Sequence, residues 1–303
     1  MPQRAIGVFD SGLGGLSVLR EIHHQLPYER LIYVADSAYA PYGDKPTDTI
    51  LQRCDIITRF FLTQNIKAMV IACNTATAVA ANHLRQRYPH LHIIAIEPAI
   101  KPATKLTQKA CIGVFATQQT IQSQRLQQLI EQHANHVQVV KQACSGLVEM
   151  VEQGRFADAE VRALLQRYLQ PIHQANVDVL VLGCTHYPFL HQTIQQLSPH
   201  LRIIEPSVAV TRQLNQRLLD QALHAPTVTR PAGVTFYTSK QQAITKQYAV
   251  LQHLWYAHAL SHHKACHSQP IAQSTHSASA LSSALGKSTK SSIHLLALPT
   301  AFC

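Results

Sequence analysis

The seven cysteines of this 303-residue sequence (54, 73, 111, 144, 184, 266 and 303) include no Cys-x-x-C pair. An odd count without that spacing indicates neither a disulfide framework nor a zinc ribbon, so reduced thiols are expected. No run approaches the ~18 consecutive apolar residues of a membrane span. Met1-Pro2-Gln3-Arg4 leads straight into the strand-like Ala5-Ile6-Gly7-Val8-Phe9 without a signal-peptide pattern, so a cytoplasmic chain with no membrane partner is expected. Glycine is sparse at 11 residues and heptads are missing, which excludes collagen-like and coiled-coil classes. Only 14% of residues are charged and 46% are hydrophobic, the balance of a packed core and not of a disordered chain. The length allows one large or two medium α/β domains.

Acid is absent after Asp220, whereas Arg230, Lys240, Lys246, Lys264, Lys287 and Lys290 follow it. The formal charge of +10 therefore belongs largely to the last 83 residues; residues 1–220 hold all 16 acids and 20 of the 26 bases, a net of +4. Six bases over that stretch, with no basic cluster and no aromatic ladder, give no nucleic-acid signature, and no nucleic-acid partner is expected.

What is present is a repeat. Ile6-Gly7-Val8-Phe9-Asp10-Ser11 aligns with Ile112-Gly113-Val114-Phe115-Ala116-Thr117, and Asn65-Ile66-Lys67-Ala68-Met69-Val70-Ile71-Ala72-Cys73 with Asn176-Val177-Asp178-Val179-Leu180-Val181-Leu182-Gly183-Cys184. Pro89-His90-Leu91-His92-Ile93-Ile94 matches Pro199-His200-Leu201-Arg202-Ile203-Ile204, and both copies then reach Glu-Pro, at Glu97-Pro98 and Glu205-Pro206. Offsets of 106, 111 and 110 residues in constant order read as one α/β unit duplicated within the chain.

Each copy alternates short β-branched runs with longer helical patterns, as in parallel sheets covered on both faces. Strands are predicted near 5–9, 31–35, 67–72 and 92–96, then 111–115, 137–141, 178–183 and 201–204. Helices are predicted near 14–25, 48–64, 76–87, 119–132, 158–174 and 188–197. A helix over 207–223, a strand over 234–238 and a docked helix over about 240–260 complete the body. The fold class is therefore α/β, two similar parallel-sheet halves with a site in the cleft between them. The first domain takes 1–97 plus about 207–261 and the second 98–206. The Ser-, Ala-, His- and Thr-rich segment 262–303 is read as a mobile tail whose removal near 261 leaves the fold intact.

Ligands of open parallel sheets bind beyond the C-terminal ends of the strands. The repeat puts Asp10-Ser11, Cys73-Asn74-Thr75, Ala116-Thr117 and Cys184-Thr185-His186 there, so two facing halves carry two thiols to opposite sides of one cleft. Inverting a carbon stereocentre needs one base on each face of the carbon, and a thiol titrating near 8.5 serves as either acid or base near neutral pH. Asp10 is placed to assist Cys73, and His186 to assist Cys184. Hydroxyls, amides and loop N–H groups supply donors for the charge that develops on a carboxylate. The other cysteines have no such setting.

Gly12-x-Gly14-x-x-Ser17, with Asp36 after the second strand, imitates a dinucleotide fingerprint. Ser17 in the third position and the glycine-free Thr117-Gln118-Gln119-Thr120 of the second copy speak against a nucleotide; a tight strand-to-helix turn accounts for the glycines. Cys184-x-His186 is too tight for usual metal-ligand spacing. No cofactor and no metal are expected.

These strings resemble the glutamate racemases of the cofactor-independent aspartate/glutamate racemase superfamily. The resemblance is carried by Gly7-Val8-Phe9-Asp10-Ser11-Gly12-Leu13-Gly14-Gly15-Leu16, Ala35-Asp36-Ser37-Ala38-Tyr39-Ala40-Pro41-Tyr42-Gly43, Ala72-Cys73-Asn74-Thr75-Ala76-Thr77-Ala78 and Leu182-Gly183-Cys184-Thr185-His186-Tyr187-Pro188, and spans residues 5 to about 240. It implies interconversion of L- and D-glutamate for peptidoglycan by two bases, Cys73 taking the α-proton of the D isomer and Cys184 that of the L isomer. It further implies that Asp10 and His186 assist them and that Ser11, Tyr42, Gly43, Asn74, Thr75, Thr117 and Thr185 line the substrate site together with Asp10 and His186. The residues by themselves leave aspartate or another carboxylate open as substrate, and a homodimer is the assembly allowed for. The chain departs from the family pattern at Cys144-Ser145-Gly146-Leu147-Val148-Glu149, so the loop leading to Glu152 is expected to differ in shape, and in the tail after about 262.

Overall fold

The computed structural model describes residues 3–226, 231–256 and 295–302. In chain order the first half comprises β1 (Ile6–Asp10), α1 (Leu16–Gln25), β2 (Leu31–Ala35), α2 (Thr47–Thr63), β3 (Ala68–Ile71), α3 (Asn74–Arg87) and β4 (His92–Ala95). The second half runs through α4 (Ile100–Leu106), β5 (Cys111–Ala116), α5 (Gln118–Ile121), α6 (Gln124–His133), β6 (Gln138–Ala143), α7 (Leu147–Glu152), α8 (Ala159–Gln174), β7 (Val179–Leu182), α9 (His191–Leu197) and β8 (Arg202–Ile204). The chain then returns to the first sheet with α10 (Ser207–Asp220), β9 (Val234–Thr238), α11 (Ile244–Tyr256) and β10 (Leu295–Ala297).

Two wholly parallel sheets result, ordered β10-β9-β2-β1-β3-β4 and β6-β5-β7-β8. The run β2-β1-β3-β4 has the same order as β6-β5-β7-β8, which is the duplication made visible in topology. Even a turn is repeated: Asn65 and Asn176, matched in the sequence alignment, both have left-handed φ (52° and 56°) just past α2 and α8. Asparagine tolerates that conformation at a helix end, where it reverses the chain into the next strand. The central strands β1, β3, β5 and β7 are buried along their whole length because helices cover both sheet faces.

The elements depart from the sequence expectation at identifiable places. The single helix expected over 119–132 is two, α5 and α6, because Ser123 is extended and its Oγ accepts from Leu126 N, starting a new helix. The short helices α4 and α7 carry too few turns to show a period and were not foreseen. Leu251 and Leu254 of α11 are fully buried, and Trp255 packs edge-on against Phe236 at 5.3 Å.

The tail needs a correction. Residues 262–294 lie outside the described residues, but 295–302 do not behave as loose chain. Leu295, Leu296 and Ala297 pair in parallel with Phe236, Tyr237 and Thr238 and so extend the first sheet. Leu298 is buried, its N–H donating to Thr238 O at 2.8 Å, and Phe302 stacks edge-on with Phe60 at 5.4 Å. Cutting at 261 would thus remove an edge strand. Three residues of β10 are too short for any periodic signal, and their apolar side chains find their partners only in the folded sheet.

Candidate active site

The strand ends of both sheets converge on one narrow cavity. From the first half, β1 ends on Asp10 and Ser11 follows, while β3 runs through Ala72 into Cys73, the N-cap of α3. Cys73 Sγ accepts from Ala76 N at 3.4 Å and contacts Ser11 Oγ at 3.6 Å. From the second half, β7 runs through Gly183 into Cys184, whose Sγ lies 3.8 Å from His186 Nδ1. The cavity is lined by Ser11, Tyr42, Gly43, Cys73, Asn74, Thr75, Thr117, Cys184, Thr185 and His186, with Pro41 and Val148 completing its wall. It leaves about 10 Å³ for the centre of a water-sized sphere, roughly the room of one water.

Asp10 is placed behind this lining. Its carboxylate accepts from Thr185 Oγ1 across the cleft and from Gly12 N, both at 3.0 Å, whereas the hydrogen bonds of Cys73 go to Ser11 and Ala76. Asp10 therefore meets Cys73 through its field and the second half through a hydrogen bond. The halves are also tied by Thr75, whose Oγ1 lies 2.9 Å from Thr117 Oγ1 and 3.3 Å from Thr120 Oγ1.

Glu152, at the end of α7, is a site member that the reading by strand ends did not select. Its Oε1 accepts from His186 Nε2 at 2.8 Å and from Leu13 N in the first half, and Oε2 faces Ser37 Oγ at 3.4 Å. With that Nε2 proton given to Glu152, Gly14 N at 3.2 Å from the same nitrogen is a close contact and not a second hydrogen bond. The sequence points to it only through the Cys144-Ser145-Gly146 string that leads to Glu152, in which Gly146 takes a left-handed φ (84°) and turns the chain from β6 into α7. Gly14 is required for another reason: a Cβ there would stand 2.3 Å from His186 Nδ1. Gly14 therefore admits the second half's imidazole and Gly12 its Glu152 carboxylate, and no phosphate is needed to account for these glycines.

Burial dominates the electrostatics. It pushes the Cys73 thiol up to about 12, with the nearby Asp10 carboxylate adding to the rise. Burial likewise raises Asp10 above the usual carboxylate range, against the pull of His186 and the hydrogen bonds from Gly12 and Thr185. For His186 burial works against the charge, but hydrogen bonds with Cys184 and Glu152 outweigh it and hold the imidazole well above its ordinary value. Burial and then Asp36 keep the Tyr42 phenol protonated. The Asn74 amide lines the cavity with both Oδ1 and Nδ2 buried and without a hydrogen-bond partner, so one acceptor and one donor remain for a bound molecule. Among the described residues, no group of three or more His, Cys, Asp or Glu side chains is arranged to hold a metal ion.

Residues 6–214 match the family described as Asp/Glu/hydantoin racemase. The chain is 48% identical over 250 residues to the glutamate racemase of Ectopseudomonas mendocina, covering 82% of this chain and 94% of that protein. It is 50% identical over 222 residues to that of Pseudomonas aeruginosa, covering 73% and 84%. Among solved structures it resembles the Francisella tularensis glutamate racemase in complex with D-glutamate, with TM-score 0.71 and 30% identity over 83% of this chain and 95% of that one. The Escherichia coli glutamate racemase in complex with L-glutamate and the activator UDP-MurNAc-Ala matches with TM-score 0.72, 30% identity and the same coverages.

Proposed function

The chain belongs to the Asp/Glu/hydantoin racemase family, and on that premise we propose that it interconverts L- and D-glutamate by a two-base mechanism that uses Cys73 and Cys184. One observation carries the reading: two thiols, one from each duplicated sheet, line a single cavity. A carbon held between them has a sulfur on either face, which is what removal of a proton from one side and delivery to the other require.

Cys73 enters the cycle as the thiol, because burial and Asp10 disfavour its anion. It therefore delivers a proton to the face from which the D isomer arises, and takes that proton back in reverse. Cys184 works on the opposite face, and His186, held by Glu152, is the group placed to exchange a proton with it. After an L-to-D turnover Cys184 holds the abstracted proton and Cys73 has lost its own; Cys184 gives that proton up to water by way of His186 and Cys73 takes one from water, which restores the starting state. The Asn74 amide, Ser11, Thr75, Thr117 and Thr185 offer hydrogen bonds to the substrate's carboxylates and ammonium; those to the α-carboxylate strengthen as charge moves onto it from the α-carbon. The cavity is too tight for glutamate, so the walls part to admit it. The D-glutamate formed serves peptidoglycan synthesis, and homodimerisation is part of the same proposal.

The test is circular dichroism of L-glutamate incubated with the purified protein and no added cofactor. Decay of the signal to zero is expected, with the same end point from D-glutamate. Decay with L-aspartate but not with glutamate would move the substrate assignment and leave the two-base mechanism standing.

A further inference from the structure

The segment 295–302 reaches the cavity through a chain of buried polar contacts. Tyr42, on the cavity wall, donates its hydroxyl to Asp36 Oδ2 at 2.6 Å. Asp36 is held by Arg53 of α2, whose Nε donates to Oδ2 at 3.0 Å and whose Nη2 donates to Oδ1 at 2.8 Å. The same Nη2 donates to the main-chain carbonyl of Phe302 at 3.2 Å. Arg53 and Asp36 are 2% and 0% exposed, so this is an ion pair removed from water. The guanidinium is stacked over the Tyr39 ring at 4.0 Å, and the Phe302 ring rests on Phe60 of the same helix α2.

The loop so held touches the other half. Gly43 follows Tyr42, and a Cβ on it would stand 2.7 Å from Thr117 Cβ, so the loop closes on the second half at van der Waals distance. Residues 295–302 are anchored independently: β10 pairs with β9, Leu298 N donates to Thr238 O, and Gln241 Nε2 donates to Leu298 O at 3.1 Å.

We propose that residues 295–302 brace the substrate loop 41–43: Phe302 caps and shields Arg53, Arg53 fixes Asp36, and Asp36 fixes the Tyr42 hydroxyl on the cavity. Arg53 and Phe302 are positioning residues. The physical reason is dielectric: a buried guanidinium–carboxylate pair holds its geometry strongly, and opening one side to water weakens it. Loss of the brace therefore loosens the loop and weakens substrate binding more than it slows proton transfer, because neither thiol depends on it.

The experiment compares the full chain with a chain ended at Ala301, which keeps β10 and removes the Phe302 carbonyl and ring. Two quantities are read: amide hydrogen exchange of residues 36–44 without substrate, and kcat and KM for glutamate. Exchange should rise several-fold with the melting temperature nearly unchanged. KM should rise by roughly tenfold, the scale of a lost hydrogen bond to a charged group, with kcat changed less than threefold. Replacing Tyr42 by Phe in the shortened chain should add no further loss in KM, since both changes act through the same hydroxyl. Unchanged exchange, an unchanged KM, or independent multiplying losses in that cycle would each overturn the brace. Should the shortened chain fail to fold, Phe302→Ala in the full chain is read by the same two quantities. The kinetic arm rests on the glutamate racemase reading and the exchange arm does not; a full chain that does not racemise glutamate sinks the former alone.

Discussion

Cys73 and Cys184 stand at matching places in the two halves, each two residues beyond the strand that lies third in the run β2-β1-β3-β4 or β6-β5-β7-β8. Their surroundings do not match. Cys73 caps a helix and touches a serine, and its burial, with the field of the buried Asp10 carboxylate added, pushes its thiol up. Cys184 faces a buried imidazole that hydrogen bonds with Cys184 itself and with Glu152 hold well above its ordinary value. The repeat alignment pairs Asp10 with Ala116 and Thr75 with His186, so duplication reproduced the backbone that places the thiols while the polar residues around them diverged. On the proposed two-base mechanism, two faces of one carbon would be served by bases of different character, although the two products differ only in handedness.

The difference between the two thiols is tested most severely by removing one sulfur at a time. Cys73→Ser and Cys184→Ser should each lower racemisation by about 10³-fold or more, within the upper range of acid–base contributions. Exchange of the α-proton with solvent deuterium then separates the faces: Cys184→Ser should retain exchange on D-glutamate and Cys73→Ser on L-glutamate. Equal exchange of both enantiomers in either variant would end the assignment of one thiol per face.

Gly14→Ala should act almost entirely on the second side of the comparison. Its Cβ drives His186 out of place, and a displacement near 1 Å costs on the order of 10²-fold in kcat/KM. A variant keeping more than a third of wild-type kcat/KM would show that the imidazole does not need its observed position.

Glu152→Gln acts on the Cys184 side more gently, lowering kcat by about tenfold through the imidazole. Without the carboxylate's charge the His186 ring should titrate at lower pH, seen by NMR of its ring protons, while Cys73 should be untouched. Because enantiomers have an equilibrium constant of one, kcat/KM must stay equal in the two directions, and the asymmetry can show only in kcat and KM separately. A pKa for His186 unmoved by this substitution would remove Glu152 from the account.

The smallest effect is on stability. Cys73 titrates near 9 when unfolded and at about 12 when buried, so above pH 9 the unfolded chain sheds a proton that the folded chain keeps, and stability falls as pH rises between those values. Cys73→Ser should make that fall shallower by up to about 1.4 kcal/mol per pH unit, measured by urea unfolding at pH 8 and 10. An identical slope in the variant would mean that the thiol is not held neutral by the fold.

Much of this site was legible along the chain because duplication wrote it twice. The strings around Cys73 and Cys184 are local, each a strand followed by small polar residues, and strand ends are where parallel sheets put their chemistry. Glu152 was not legible in that way. It lies on a six-residue helix with no counterpart among the aligned strings, and its partners Leu13 and His186 are 139 and 34 residues away. Asp10 was legible as a site residue, but its hydrogen bond to Thr185, 175 residues on, was not.

The α/β class, the doubled unit, the central strands and the pair of thiols are written in the chain, because each follows from apolar periodicity and from short-range backbone preferences repeated at a nearly constant offset. Long-range packing set the rest: that Glu152 bonds His186, that Gly14 yields space to that ring, and that residues 295–302 form an edge strand ending against Arg53. Those outcomes depend on contacts between residues tens to hundreds of positions apart, where the identity of a neighbour is set by how two sheets and their connections pack and not by what precedes or follows it in the chain.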